Sequence, residues 1–146
     1  MEEILSDLNK TDLYAQNFLA SLTPAVNHAT IVGLSGDLGA GKTAFVKLLA
    51  SALGVKEEIL SPTFVIMKLY GILDHPKWNQ LVHIDAYRIE DPNEAHALHF
   101  EHICADSKNL IVIEWPERLK KNFPDHAQVL RFRFIDETTR AIQKEQ

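Results

Sequence analysis

Apolar positions along the chain follow two spacings, one typical of helices and one typical of buried strands. Residues 11–22 carry apolar side chains on one helical face with Pro24 beyond their end, which predicts an amphipathic helix. The run 29–34 (ATIVGL) predicts a buried strand. Residues 43–53 are apolar at helical spacing up to Gly54, which predicts a second helix that ends at this glycine.

Further apolar runs predict strands in the rest of the chain. They are 64–70 (FVIMKLY), 81–84 (LVHI) and 110–113 (LIVI). Residues 128–135 alternate apolar and polar side chains, which predicts a more exposed strand at an edge or in antiparallel pairing. Residues 91–94 (DPNE) predict the start of a helix with Asp91 as N-cap, and this helix runs to about Leu98.

Composition limits the classes of function. The chain has 146 residues and one cysteine, so we expect a single domain, 1–146, without an internal disulfide. Its net charge of −5 argues against a large basic surface that binds nucleic acid unaided. The acidic start (MEEILSDLNK) lacks the features of a secretion signal, and no apolar run is long enough to span a membrane. We expect a cytoplasmic protein.

Residues 36–43 (GDLGAGKT) match the phosphate-binding loop pattern GxxxxGK(S/T), and they lie between a predicted strand and a predicted helix. The glycines allow backbone N–H groups to converge on phosphate oxygens. Lys42 offers a charge for the β and γ phosphates, and Thr43 offers a hydroxyl for Mg²⁺. The predicted nucleotide-binding residues here are Gly36, Asp37, Leu38, Gly39, Ala40, Gly41, Lys42, Thr43 and Ala44.

Two acidic residues each follow an apolar strand-like run. Asp85 follows 81–84, and Glu114 follows 110–113. Because ligands of open α/β sheets bind beyond the carboxyl ends of the strands, both carboxylates are predicted to reach the phosphates. One would bind Mg²⁺ and the other would orient or deprotonate the attacking water, and the residues leave this division of roles open. The alternative is that each carboxylate merely caps a turn.

Three histidines raise the question of a metal site. His96, His99 and His102 would share one sector of a helix that continued through them. Their spacing is not a standard zinc pattern, and no pair of cysteines accompanies them. We therefore expect solvated or half-buried histidines.

Residues 9–12 (NKTD) match NKxD, the guanine-reading motif of GTPases. They precede the phosphate loop, which is the order found in circularly permuted GTPases. However, no apolar strand leads into them and no DxxG follows the loop. We interpret them as a helix start capped by Asn9 or Thr11, so ATP is favoured over GTP.

Four motifs in order and spacing resemble the TsaE (YjeE) family. They are GDLGAGKT at 36–43, SPTF at 61–64, DAYR at 85–88 and EWPERL at 114–119. The likeness runs from the N-terminal helix to about Leu119, and the C-terminal strand region matches only in pattern. We accordingly expect an α/β, three-layer P-loop NTPase fold with central parallel strands, flanking antiparallel strands and helices on both faces.

The resemblance implies a function in tRNA modification. It implies the ATPase subunit of bacterial tRNA threonylcarbamoyladenosine synthesis, which works with TsaB and TsaD on the adenosine beside the anticodon of tRNAs that read ANN codons. The family does not itself transfer the threonylcarbamoyl group, and its slow ATP hydrolysis is thought to reset the TsaB–TsaD complex. The implied ligands are ATP or ADP with Mg²⁺, and tRNA would be contacted only through the complex.

The same resemblance implies roles for individual residues. Lys42 would contact the phosphates, and Thr43 and Glu114 would hold Mg²⁺. Asp85 would support hydrolysis, and Trp115 would be needed for activity. The candidate catalytic residues are therefore Lys42, Asp85, Glu114 and Trp115, and the candidate metal ligands are Thr43, Asp85 and Glu114.

Four further positions are compared with the family. Residues 61–64 resemble its switch-type loop near the γ-phosphate, so Ser61 and Thr63 are expected nucleotide contacts. Thr11 would lie near the adenine. Ala44 departs from the family, which often has a second threonine there, whose hydroxyl can bond the α-phosphate in many phosphate-loop proteins.

Two other functions are compatible with a phosphate-binding loop. A small-molecule kinase would use Asp85 as a base toward a substrate hydroxyl. Such enzymes generally carry an arginine-bearing lid after the loop, but residues 54–81 contain no arginine. A nucleotide-dependent interaction module would use hydrolysis only to time the release of a partner.

Overall fold

The computed structural model describes residues 1–60 and 66–145, and these residues form one seven-stranded sheet. Its strands are β1 (Glu2–Leu5), β2 (Thr30–Ser35), β3 (Met67–Gly71), β4 (Gln80–Asp85), β5 (Asn109–Glu114), β6 (Gln128–Phe134) and β7 (Arg140–Glu145). Their order is β1-β7-β6-β2-β5-β4-β3. Strands β6, β2, β5 and β4 pair in parallel, whereas β1, β7 and β3 pair antiparallel. The predicted parallel centre with antiparallel flanks is confirmed.

Helices cover both faces of the sheet, which gives three layers. They are α1 (Leu8–Ser21), α2 (Lys42–Leu53), α3 (Glu94–Ala97), α4 (Phe100–Cys104) and a 3-10 helix (Pro116–Asn122). Phe45 of α2 and Val112 of β5 belong to one apolar cluster, whereas Phe100 of α4 and Ile111 of β5 belong to another. Successive side chains of β5 thus enter opposite cores, as the alternation of a doubly covered strand requires. No helix in the described ranges is both long and apolar enough to cross a membrane.

Helix α1 begins earlier than the sequence predicts. Asp7 is its N-cap, and the Asp7 carboxylate accepts a hydrogen bond from the Lys10 N–H at 2.8 Å. Asn9 and Thr11, the predicted caps, lie inside the helix, where the Thr11 hydroxyl donates to the Asp7 carbonyl oxygen at 3.1 Å. The prediction was wrong because all three residue types are favourable N-caps, so residue type alone does not select the first turn.

The predicted helix at 91–98 is shorter and ends in a break. Asn93, not Asp91, is the N-cap of α3. The side chains of Asp91 and Glu94 still stabilise this turn, because they accept hydrogen bonds from the N–H groups of Asn93 and Asp91 at 2.9 and 3.4 Å. His99 has a φ of 55°, and this left-handed residue separates α3 from α4.

Three strands differ from the sequence prediction. β6 lies inside the sheet, parallel to β2 and antiparallel to β7, so the prediction of an antiparallel neighbour is confirmed and that of an edge is wrong. Strands β1 and β7, which the apolar pattern does not predict, pair with each other. Each has only two apolar residues, in EEIL and RAIQKE, and β7 also pairs with β6.

Candidate functional site

The glycine-rich loop joins the carboxyl end of β2 to the first turn of α2. Gly41, with a φ of 103°, is the N-cap of α2, so the free N–H groups of that helix point toward the loop. Gly36 has a φ of 139°, and a Cβ at this position would overlap the carbonyl oxygen of Phe132. The loop therefore requires glycine at position 36 for both its backbone angle and its contact with β6.

Lys42 lies within this loop and is almost fully buried. Its Nζ donates to the carbonyl oxygens of Gly36 at 2.5 Å and Asp37 at 2.9 Å. The same atom lies 4.3 Å from the centre of the Trp115 ring. Burial lowers the pKa of Lys42, and nearby carboxylates, Glu114 foremost, oppose that change.

Glu114 accepts a hydrogen bond on each carboxylate oxygen. The Thr43 hydroxyl, in the first turn of α2, donates to Oε1 at 2.7 Å. The Nε2 atom of His83, on β4, lies 2.6 Å from Oε2. The His83 side chain is completely buried, and Glu114 is 3% exposed. A hydroxyl and a carboxylate are hard oxygen donors, so Thr43 and Glu114 could together hold a divalent cation.

Asp85 lies directly beside Glu114, because the two residues are paired across β4 and β5. Its Oδ1 accepts a hydrogen bond from the Tyr87 N–H at 3.0 Å. Burial raises the pKa of Asp85, and Glu114 raises it further, whereas the Tyr87 hydrogen bond lowers it. The two strand-end carboxylates thus differ in environment, since Glu114 contacts Thr43 and His83 while Asp85 contacts backbone.

Aromatic and cationic side chains form one side of the site. Trp115 has a φ of 59°, and its backbone N–H donates to the Leu34 carbonyl oxygen at 3.1 Å. The Tyr87 ring lies 5.1 Å from the Trp115 ring, and the Arg118 guanidinium lies 5.6 Å from the Tyr87 ring. A row of contacts thus runs from the buried Lys42 through Trp115 and Tyr87 to the exposed Arg118.

Most of the residues described above line one cleft. It has a volume of about 370 Å³, and it is lined by Leu38, Gly39, Gly41, Lys42, Thr43, Ala44, Asp85, Tyr87, Arg88, Glu114 and Trp115. The structure therefore brings much of the loop together with both acids and Trp115, whereas the predicted loop residues Gly36, Asp37 and Ala40 do not line this cleft. A larger cavity of about 460 Å³ is also lined by Trp115 and reaches Gly36 and Arg131.

Other sequence-predicted residues lie elsewhere. Thr11 is on α1 and does not line the cleft. Ser61 and Thr63 lie outside the described residues. His96 and His102 lie on separate short helices, on either side of the break at His99.

Sequence reasoning missed His83, Tyr87 and Arg88. His83 carried a signal, because it is the one polar residue in the apolar run 81–84 and lies two positions before Asp85, on the same face. Tyr87 and Arg88 carried a weaker signal, since both follow the strand-end acid within the DAYR motif.

Comparisons with known proteins agree with this architecture. A family model described as threonylcarbamoyl adenosine biosynthesis protein TsaE matches residues 5–143. The chain is 40% identical over 117 residues to the tRNA threonylcarbamoyladenosine biosynthesis protein TsaE of Rickettsia prowazekii (strain Madrid E), which covers 80% of this chain and 74% of that protein. It is 35% identical over 144 residues to the protein of the same name from Rickettsia typhi (strain ATCC VR-144 / Wilmington), covering 97% and 93%.

A solved structure shares the fold. The crystal structure of Bacillus subtilis YdiB matches with a TM-score of 0.75 and 23% sequence identity. The match covers 99% of this chain and 83% of that chain.

Proposed function

The chain belongs to the TsaE family of threonylcarbamoyl adenosine biosynthesis proteins, and from this premise we propose that it is the ATP-binding, slowly ATP-hydrolysing subunit of that tRNA modification. The observation that carries the proposal is the convergence of Lys42, Thr43 and Glu114 at the junction of the glycine-rich loop and α2. A charge, a hydroxyl and a carboxylate at a helix N-terminus are the groups that a magnesium-bound polyphosphate needs.

In this proposal the loop binds the phosphates. Backbone N–H groups of residues 36–43 and the N-terminus of α2 supply positive potential, and Lys42 adds a charge for the β and γ phosphates. Ala44 lines the same cleft. Two of the three N–H donors of Lys42 bond to the carbonyl oxygens of Gly36 and Asp37, which leaves the third for a phosphate oxygen.

Thr43 and Glu114 are the proposed Mg²⁺ ligands, with Asp85 close enough to contribute. Mg²⁺ would neutralise part of the phosphate charge. The contact between Thr43 and Glu114 supports this choice, because both oxygens already lie within 2.7 Å of each other. Asp85, whose carboxylate accepts from the Tyr87 N–H, would then orient or deprotonate the attacking water.

Three further nucleotide contacts belong to the proposal. Thr11 would approach the adenine, and Ser61 and Thr63 would approach the γ-phosphate. Trp115 would be required for activity through its position over Lys42.

The partners in this proposal are TsaB and TsaD. ATP hydrolysis by this chain, acting as one ATPase domain of residues 1–146, would reset their complex during modification of the adenosine beside the anticodon of ANN-reading tRNAs. The net charge of −5 favours tRNA contact through the complex rather than through this chain alone. The setting would be the cytoplasm.

ATPase measurements test the proposal. We expect slow hydrolysis by the isolated chain, stimulation by the TsaB–TsaD pair, and loss of both in Lys42→Ala. Pull-down of TsaB and TsaD in ATP, in ADP and without nucleotide would show whether the partnership depends on nucleotide. Equal hydrolysis rates with and without the pair, or nucleotide binding that Lys42→Ala leaves unchanged, would contradict the proposal.

A further inference from the structure

His83 is a completely buried polar residue of β4, the strand beside the edge strand β3, and it lies next to the site but not in the cleft. It faces Val112 across β4 and β5, two positions before the facing pair Asp85 and Glu114. Side chains two residues apart on a strand share a face, so His83, Asp85 and Glu114 all point to one side of the sheet. Val112 and Phe45 belong to the apolar cluster on that side, which places His83 beneath α2.

The contact between His83 and Glu114 is short and buried. Nε2 of His83 and Oε2 of Glu114 are 2.6 Å apart, with side chains 0% and 4% exposed. The other oxygen of Glu114 accepts from Thr43 at 2.7 Å. Each carboxylate oxygen therefore has its own partner, and the two partners lie on different elements, β4 and α2.

A carboxylate that binds a cation is ionised, and this fixes which atom donates the hydrogen bond between His83 and Glu114. An ionised carboxylate can only accept, so Nε2–H of His83 donates to Oε2. The other ring nitrogen, Nδ1, is buried and has no hydrogen-bond partner in the described ranges. In the described ranges the side-chain hydrogen bond of His83 is thus with Glu114 of β5.

We propose that His83 is a positioning residue that holds Oε2 of Glu114, so that Oε1 stays directed at Thr43 and at the cation bound there. This inference rests on the proposed function. His83 acts only through Glu114. Partners of ligating carboxylates typically contribute about 10- to 100-fold to metal affinity, because they fix the orientation of the ligand before the metal arrives.

The test is the gain in nucleotide affinity that Mg²⁺ provides. Binding of a fluorescent ADP analogue is titrated with Mg²⁺ and with EDTA. The proteins compared are wild type, His83→Leu, His83→Asn and His83→Gln. We expect His83→Leu to lose about 10- to 100-fold of the Mg²⁺-dependent gain and to keep its affinity in EDTA.

The two amide variants form a matched pair. The amide nitrogen of glutamine reaches about as far as Nε2, whereas that of asparagine does not, so we expect His83→Gln to recover most of the gain and His83→Asn to lose it. His102→Leu, an exposed histidine on α4, is the control and should behave as wild type. Circular dichroism checks folding, and the asparagine and glutamine variants decide the question if His83→Leu does not fold.

The outcomes separate this inference from the proposed function. A wild-type protein without any Mg²⁺-dependent gain would refute the proposed function. If wild type shows the Mg²⁺-dependent gain in affinity and His83→Leu or His83→Asn keeps it, the role of His83 is overturned and the proposed function stands. Nitrogen NMR of the imidazole in the wild-type protein gives an independent check, since we expect the proton on Nε2, and a proton on Nδ1 with none on Nε2 would also overturn it.

Discussion

The Lys42 ammonium lies 4.3 Å from the centre of the Trp115 ring while it donates to two carbonyl oxygens of its own loop. A cation over an indole face gains about 0.5 to 2 kcal/mol, depending on how dry the contact is. The proposed phosphate-binding charge is therefore held in place before a ligand arrives. The backbone N–H of Trp115 in turn donates to the Leu34 carbonyl oxygen of β2, so Lys42 is connected to the sheet through Trp115.

Replacement of this lysine should weaken nucleotide binding. We expect Lys42→Ala to bind ADP about 10- to 100-fold more weakly, because hydrogen bonds to charged groups contribute about 1.5 to 3 kcal/mol. Isothermal titration calorimetry measures the change. Lys47→Ala is the matched control, since Lys47 is exposed on the same helix. Equal losses in the two variants would indicate a general charge effect rather than a specific contact.

The raised pKa of Asp85 predicts a pH dependence of hydrolysis. A proposed base works only when ionised, so ATPase activity should fall as the pH falls through this raised pKa, at a higher pH than for an ordinary aspartate. Asp85→Asn should lower turnover by about 10²- to 10⁴-fold and should abolish that acid limb. Rates measured from acidic to neutral pH with the partner proteins would show both effects.

The Asp85→Asn variant should also keep or increase its stability. Burial penalises the ionised carboxylate in the folded state, so the native protein holds a proton more tightly at Asp85 than the unfolded chain does. The contribution of Asp85 to stability therefore decreases as the pH rises through the window above 3.8. Thermal melting at neutral pH checks this, and a large drop in melting temperature would instead point to a structural role.

Two glycines of the loop should respond differently to alanine. At Gly36 the new Cβ would overlap the Phe132 carbonyl oxygen, and the φ of 139° is unfavourable for alanine. At Gly39 the φ is 79°, but among the described residues no atom beyond its two chain neighbours lies within 4 Å of the Cβ position. We expect Gly39→Ala to cost about 1 to 2 kcal/mol in unfolding free energy and Gly36→Ala to cost more. Urea denaturation measures both, and equal losses would contradict the structure.

Cys104 should react slowly in the folded protein. Burial, with a further contribution from Glu101, raises its pKa from 9.0 to about 11. At mildly alkaline pH the thiolate fraction is then about 100-fold lower than in the unfolded chain, and alkylation by iodoacetamide should be correspondingly slow. A native rate equal to that in denaturant would contradict this environment.

The same pKa difference predicts a stability change at high pH. The folded protein keeps the Cys104 proton between pH 9.0 and about 11, whereas the unfolded chain loses it. The contribution of Cys104 to stability therefore falls as the pH rises through that window. Cys104→Ala should lack this decrease, which denaturant titrations at several alkaline pH values would measure.

The sequence by itself determined the features that lie within short stretches of chain. The loop 36–43 could be predicted because its glycines, lysine and threonine are contiguous, and the positive φ at Gly36, Gly39 and Gly41 is a local property of glycine. The parallel centre and the positions of Asp85 and Glu114 could also be predicted, since apolar runs mark buried strands and each acid follows one directly. Helix ends were less certain, as Asp7 and Asn93 show, because several residues nearby are equally good caps.

Only the tertiary structure decided which distant residues meet. Thr43 and Glu114 are 71 positions apart, and His83 and Glu114 are 31 apart, so both contacts depend on the register of β4 against β5 and on the packing of α2 over them. The pairing of β1 with β7 likewise follows from backbone hydrogen bonds between strands with little apolar pattern. The apolar periodicity of a strand shows which of its faces is buried. Which strand lies beside it depends on how the complete sheet packs against its helices. That packing gave Glu114 its two partners.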